Sequence, residues 1–206
     1  EIMKTGRSIV ALAALLLGSC AASAEIPGWC QYALSDAPKT APRFERYAVP
    51  VQRVAHAPKI DLRSDPRVRL YRTQLRNAAK GGVKYGPNFA GHYTLASWGC
   101  GTGCLDWMVV DLKTGHVAFD DKMFSLENNR IDFHREQEDN AYAKRRHANY
   151  EFGVLLYRPD SSLLMPLGTP SEDETRDGMA FYHWTGKTFR RIAFIPAIKL
   201  CHKPKD

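Results

Sequence analysis

Two cysteines in a glycine-rich stretch are the residues of this chain best suited to chemistry. They are Cys100 and Cys104, within the sequence WGCGTGC at 98–104. A cysteine nucleophile needs a thiolate and a nearby histidine, and His92 and His116 flank the pair in the sequence. The C-x-x-x-C spacing differs from the C-x-x-C of thioredoxin-like sites. An envelope enzyme or thiol-redox protein using Cys100, Cys104 and His92 is one hypothesis.

Metal binding is another use for such residues. Cys100 and Cys104 would supply two of the four zinc ligands and histidine the rest, but nothing else in the spacing favours a zinc site. The carboxylates of the acidic loop at 172–177 make a calcium-binding periplasmic domain a further alternative, although the loop lacks the ordered D-x-D-x-D-G spacing of an EF-hand, which favours a solvated loop. With no phosphate loop, nucleotide fingerprint or Ser-His-Asp elbow, the sequence predicts no cofactor and no resident metal.

The first residues have the pattern of an export signal. Lys4 and Arg7 precede a short apolar run at 9–17, and small residues follow at 22–24. The apolar run is too short to span a bilayer, which takes about 20 residues. This order predicts a signal peptide over 1–24 and a periplasmic or secreted protein.

A second form of processing is open at the same place. The sequence LGSC at 17–20 resembles a bacterial lipobox, in which Cys20 is lipidated, so the alternative is an outer-membrane lipoprotein that meets the membrane only through this anchor.

The formal net charge of +7 comes from 29 basic and 22 acidic residues, largely interspersed. Export argues against nucleic acid as a partner. The positive charge suits anionic envelope surfaces or acidic partners, and it is equally consistent with ordinary solubility.

The cysteine count predicts two disulfide bonds. Without Cys20 four cysteines remain, an even number in an oxidising compartment, and they allow three pairings. Cys100 and Cys104 are close enough in sequence to close a tight turn, which leaves Cys30 to pair with Cys201. We predict that the long bridge fastens the ends of the domain and the short bridge shapes a loop.

The remaining pattern predicts one domain with an arm. Residues 25–58 are rich in proline and read as an extended N-terminal arm, followed by a globular domain over 59–206. Ser64-Asp65-Pro66 begins an amphipathic helix that Gly81-Gly82 should end. Strand patterns follow, separated by turn residues, with a charged and partly helical excursion near 136–146. The predicted strands are 89–98, 106–112, 116–119, 152–158, 163–167, 179–184 and 188–195.

The fold class expected from this order is α+β and β-dominated. Serial hairpins favour an antiparallel meander or sandwich, or propeller-like hairpins, with one N-terminal amphipathic helix. The pattern contains no repeat regular enough for a complete propeller.

Several motifs together are similar to a known group of proteins. The run GPNFAGHY at 86–93, the sequence WGCGTGC at 98–104, and Asp111 with Thr114-Gly115 resemble a largely uncharacterised family of exported proteobacterial proteins. The resemblance covers about residues 64–195. It implies the compartment and the extent of the domain, but it implies no activity.

These observations favour binding over catalysis. We expect an exported non-enzymatic binding protein, an inhibitor or immunity protein acting on an envelope-targeting enzyme such as a lysozyme-like effector, with a protein of the cell envelope as its partner. This expectation rests on analogy of compartment. The candidate binding residues are His92, Tyr93, Trp98, Gly99, Gly101, Thr102, Gly103 and Asp106.

Overall fold

The fold was analysed in a computed structural model that describes residues 26–171 and 173–201. The predicted signal peptide, Cys20 with its lipobox, and Glu172 of the acidic loop lie outside the described residues. No helix within the described ranges is long and apolar enough to cross a membrane.

The described chain is dominated by β-structure, as predicted. Three α-helices and nine strands alternate with short 3₁₀ turns along the chain. The helices are α1 (Arg72–Tyr85), α2 (Glu136–Arg145) and α3 (Ala197–Leu200). The strands are β1 (Tyr93–Gly101), β2 (Cys104–Asp111), β3 (Val117–Ala118), β4 (Ser125–Glu127), β5 (Asn149–Glu151), β6 (Leu155–Tyr157), β7 (Leu163–Pro170), β8 (Gly178–Trp184) and β9 (Phe189–Pro196).

All nine strands belong to one antiparallel sheet. Its main order is β1-β2-β4-β7-β6-β5, with β3 on β2, and with β8 and then β9 continuing from β7. The sheet curls so far that its two end strands approach each other: Ser97 on β1 donates a hydrogen bond to the carboxylate of Glu151 on β5. The outcome is a partly closed barrel with a seam between β1 and β5.

Two apolar clusters stabilise this arrangement. The larger one fills the inside of the curled sheet and includes Trp107 of β2 and Phe181 of β8, both fully buried. The second lies between α1 and the outer face of the β1–β2 hairpin, where Leu75 of the helix packs with Met108 and Val110. The sheet therefore buries residues on both faces in this region, which explains the nearly continuous apolar run of β2.

The helix differs from its predicted bounds at both ends. A 3₁₀ turn occupies Pro66–Arg69 and is capped by the Asp65 side chain, and α1 proper runs from Arg72 through both predicted terminating glycines to Tyr85. A Cβ built on Gly82 would lie 2.2 Å from the Thr94 hydroxyl oxygen. Gly82 is therefore a contact residue that lets the helix approach β1.

The N-terminal arm lies on the sheet and is tied to it by buried polar contacts. The Tyr32 hydroxyl donates to Asp177 at 2.6 Å and accepts from the Gly168 amide at 3.1 Å. Asp177 also forms an ion pair with Arg130 at 2.9 Å. Burial raises the pKa of Tyr32 and the adjacent Asp177 adds to the shift, so the phenol stays a hydrogen-bond donor.

Candidate functional site

The WGCGTGC motif at 98–104 forms the tip of the β1–β2 hairpin. Cys100 and Cys104 are joined by a disulfide across the turn, with Cα atoms 5.2 Å apart, and Gly101 pairs with Cys104 in the ladder. Residues 99–102 are all exposed. The tip therefore projects from the domain as a covalently closed loop.

The glycines of the tip serve two different purposes. A Cβ built on Gly99 or Gly101 would meet no atom within 4 Å, so neither glycine is needed for packing inside the chain. Gly103 has a φ of +72°, a region that favours glycine, and its carbonyl accepts a hydrogen bond from the Asn128 amide at 2.9 Å. Gly103 and Gly101, which has a φ of +154°, both shape the turn, whereas Gly99 and Gly101 leave a narrow surface without side chains.

An aromatic cluster holds the base of the tip in place. The ring of Trp98 lies 4.5 Å from that of Tyr71 and 6.5 Å from that of Phe124, between centroids. Asp106 is buried on the neighbouring strand and accepts hydrogen bonds from the Ser125 hydroxyl at 2.6 Å and the Tyr71 hydroxyl at 3.3 Å. Burial raises the pKa of Tyr71, and the negative Asp106 raises it further. Trp98 and Asp106 therefore position the hairpin.

The structure does not bring His92 to the cysteines. His92 and Tyr93 lie at the opposite end of the hairpin, where Tyr93 pairs with Asp111; at about 3.3 Å per residue, the separation from Cys100 along the strand is about 25 Å. The His92 Nε2 is 3.6 Å from an Asp111 carboxylate oxygen. Burial lowers the pKa of His92, and Lys113 lowers it further against the opposing effect of Asp111.

The second flanking histidine has a structural partner as well. His116 Nδ1 lies 3.1 Å from the Ser64 hydroxyl, which also accepts from the Val117 amide at 3.1 Å. The contact fastens the chain before α1 to β3. The described geometry therefore gives each of the two histidines a local contact away from the cysteine pair.

The described cysteines and carboxylates of the predicted zinc and calcium sites make other contacts. Cys100, Cys104 and Asp106 place their ligand atoms within 4.8 Å of one another, but both sulfurs are joined in the disulfide and cannot serve as thiolate ligands. In the acidic loop, Asp173 accepts hydrogen bonds from the backbone and hydroxyl of Thr175, and Asp177 faces Arg130. These two carboxylates serve separate structural contacts.

Sequence reasoning missed a groove beside the hairpin. A cavity of about 490 Å³ lies between one face of α1 and strand β1, at the seam that the curled sheet leaves toward β5. Its walls include Gln74 and Asn77 of the helix, Ser97 of β1 and Glu151 of β5. The helical spacing of Gln74, Asn77, Gly81 and Tyr85 was available as a signal, but the partner strand was not.

The two disulfides differ strongly in exposure, which predicts an order of reduction. Cys100 is exposed and Cys104 is half-buried, whereas Cys30 is fully buried and Cys201 is half-buried. Since thiol–disulfide exchange requires access to a sulfur, a mild phosphine is expected to reduce Cys100–Cys104 first while Cys30–Cys201 persists. Stepwise alkylation followed by peptide mass spectrometry would measure this order. Simultaneous labelling of all four cysteines would contradict it, and labelling before any reductant is added would contradict the disulfides themselves.

Comparison of the chain with known protein families, with curated proteins and with solved structures finds no match.

Proposed function

We propose that this chain is an exported, non-enzymatic binding protein whose hairpin tip, residues 99–104, inserts into the cleft of an enzyme that acts on the cell envelope. The observation that carries the proposal is the exposed tip, which is closed by Cys100–Cys104 and includes Gly99 and Gly101, whose built Cβ atoms would meet no atom of the chain within 4 Å. A narrow projection of this kind fits a concave active site. It would act as an inhibitor or as an immunity protein.

The physical basis is the low entropy cost of binding with a preformed loop. A flexible loop loses conformational freedom on binding, and this loss reduces the affinity. Here the disulfide closes the turn, the Asn128 amide bonds to Gly103, and Trp98 is stacked on Tyr71 at the base. The tip is thus ordered before it meets a partner.

Charge narrows the class of partner. The tip contains no charged residue, so its own contacts would be made by backbone groups and by the Thr102 hydroxyl. The whole chain carries a formal net charge of +7, and complementary charge accelerates association. The proposal therefore favours an envelope-degrading enzyme with an acidic or neutral surface over a strongly cationic lysozyme.

Inhibition assays with a tip variant test this proposal. Gly99→Trp places a large side chain at the tip in open space, so the fold should persist, and inhibition of a sensitive peptidoglycan-cleaving enzyme should fall at least tenfold. Gly28→Trp is the matched control, because Gly28 is also exposed and also has no atom within 4 Å of its built Cβ. Half-inhibitory concentrations and melting temperatures would be measured for both.

Two results would overturn the proposal. One is the absence of inhibition and of complex formation across a panel of periplasmic lytic enzymes with acidic and neutral surfaces. The other is an inhibitory chain whose potency is unchanged in Gly99→Trp, since the contact would then lie elsewhere on the surface.

A further inference from the structure

The groove between α1 and β1 is the strongest binding cavity outside the hairpin tip. Its volume of about 490 Å³ lies within the range of about 300–1,000 Å³ typical of small-ligand sites. Three side-chain amides, two aliphatic hydroxyls and one carboxylate line it, together with apolar surface. The full set of helix residues lining it is Gln74, Asn77, Ala78, Gly81, Gly82 and Tyr85.

The helix presents an uncharged face to this groove although it is otherwise basic. The lining positions recur at three- and four-residue spacing and so share one side of α1. The charged residues Arg72, Arg76, Lys80 and Lys84 are absent from the lining. With no cation facing the cavity among the described residues, the site does not suit a phosphate or a carboxylate ligand.

Gly81 keeps the groove open at a cost to the helix. Glycine in a helix interior is less favourable than alanine by about 1 kcal/mol. Its neighbour Gly82 is required by the close contact with Thr94, but a Cβ built on Gly81 would meet no atom within 4 Å, and its φ is not in the left-handed region. Packing and backbone geometry therefore do not require glycine at 81, whereas a ligand lying against the helix would.

The polar groups in the groove are positioned to bind hydroxyl and amide groups. Glu151 accepts from the Tyr157 hydroxyl at 2.5 Å through one carboxylate oxygen and from Ser97 through the other, which leaves a lone pair free on each oxygen. The side-chain amides of Gln74 and Asn77 form no hydrogen bond with any other described residue. The buried Thr94 hydroxyl, which lines the groove, also has no hydrogen-bond partner among the described residues.

The edge of β1 is blocked against an added peptide strand. The Asn88 side chain accepts from the Leu95 amide at 2.7 Å and donates to the Leu95 carbonyl at 3.0 Å, and Phe89 makes the equivalent backbone pair with Tyr93. An extended peptide gains its affinity from such edge groups. At Tyr93 and Leu95 the ligand is therefore recognised by side chains and not by the edge of the strand.

We propose that this groove binds an uncharged oligosaccharide carrying acetamido groups. Free amides in Gln74 and Asn77 match an acetamido group, which both donates and accepts. Glu151 would accept from sugar hydroxyls, and Tyr85, 73% exposed at the lip, offers an aromatic surface for a sugar ring. The site is separate from the hairpin tip, so this proposal does not depend on the proposed inhibition.

Titration with defined sugars tests the proposal directly. Chitotetraose, the tetramer of N-acetylglucosamine, is expected to shift the NMR signals of α1 and β1 and to give a measurable affinity by calorimetry. Cellotetraose, which lacks the acetamido groups, should bind at least tenfold more weakly. If isolated peptidoglycan sacculi retain the protein and chitotetraose competes with this retention, the natural ligand is the glycan of the cell wall. If the protein binds the free sugar but is not retained on sacculi, the natural ligand is a soluble oligosaccharide.

Variants inside and outside the groove separate binding from stability. Gly81→Leu should fill the groove and lower the affinity at least tenfold while the melting temperature stays the same or rises. Thr73→Leu is the control, because Thr73 is exposed on the same helix outside the groove. Gln74→Ala with Asn77→Ala should also weaken binding.

Four outcomes would overturn the proposal. They are the absence of shifts at millimolar chitotetraose, equal binding of cellotetraose, unchanged affinity in Gly81→Leu, and retention on sacculi that chitotetraose does not reduce. The last would indicate a peptide or another wall polymer as the ligand.

Discussion

Replacing Cys30 and Cys201 by serine is expected to lower the free energy of unfolding by about 5 kcal/mol. The bridge joins residues 171 positions apart, and a cross-link restricts the unfolded chain more as the loop it closes grows longer. Native domains are stable by only about 5–15 kcal/mol. Urea unfolding monitored by tryptophan fluorescence would measure the loss, and the double variant should be partly unfolded under conditions in which the native chain is folded.

The short bridge provides the matched control for this prediction. Replacing Cys100 and Cys104 by serine should cost only about 2 kcal/mol, because the loop is short. The bridges have the same Cα separation of 5.2 Å, so the comparison holds the span of the cross-link constant while the loop length differs. Equal losses for the two double variants would mean that the long bridge acts on the folded state and not on the unfolded chain.

Gly168→Ala should be the most damaging single methyl addition in the sheet, with an expected loss of about 3–5 kcal/mol. Gly168 has a φ of +101°, which L-residues rarely adopt, and a built Cβ would lie 2.1 Å from the Glu127 carbonyl oxygen. A backbone atom cannot move aside as a flexible side chain can. The substitution therefore forces β4 away from β7 where Glu127 pairs with Thr169.

Thermal and chemical unfolding of this variant would be compared with those of Gly28→Ala. Gly28 has open space around its built Cβ, and the control should change stability by less than about 0.5 kcal/mol. Because the Gly168 amide also donates to the buried Tyr32 hydroxyl, loosening of the N-terminal arm should accompany the loss, visible as faster hydrogen exchange there. A variant as stable as the control would contradict the backbone contact.

Local chemistry made part of this fold predictable from sequence. The bridges Cys30–Cys201 and Cys100–Cys104 followed from the cysteine count and spacing, and they are typical of an oxidising, non-cytoplasmic compartment. The strands around 178–184 and 189–196 followed from apolar runs on either side of Thr185-Gly186-Lys187. The Cys100–Cys104 spacing and the strand pattern lie within a few residues of the features they predict, whereas the pairing of Cys30 with Cys201 followed by elimination from the even cysteine count.

The features that depend on distant residues were not predictable in this way. Gly81-Gly82 has the local character of a helix end, but the helix continues because Gly82 packs closely on Thr94 of a strand that comes later in the chain. The groove forms because the sheet curls and brings Glu151 of β5 to Ser97 of β1. The periodicity of apolar residues along the sequence carries no information about the distance between these two strands.

The buried link between Cys30 and Cys201 also determines how the molecule would bear a mechanical load. Tension applied from handles outside these two residues would pass through one covalent bond and bypass the 171-position stretch between them. The hydrogen-bonded ladders would carry almost none of the force. In an optical trap the oxidised chain should therefore show no extension step from unfolding, and the reduced chain should lengthen as the sheet comes apart.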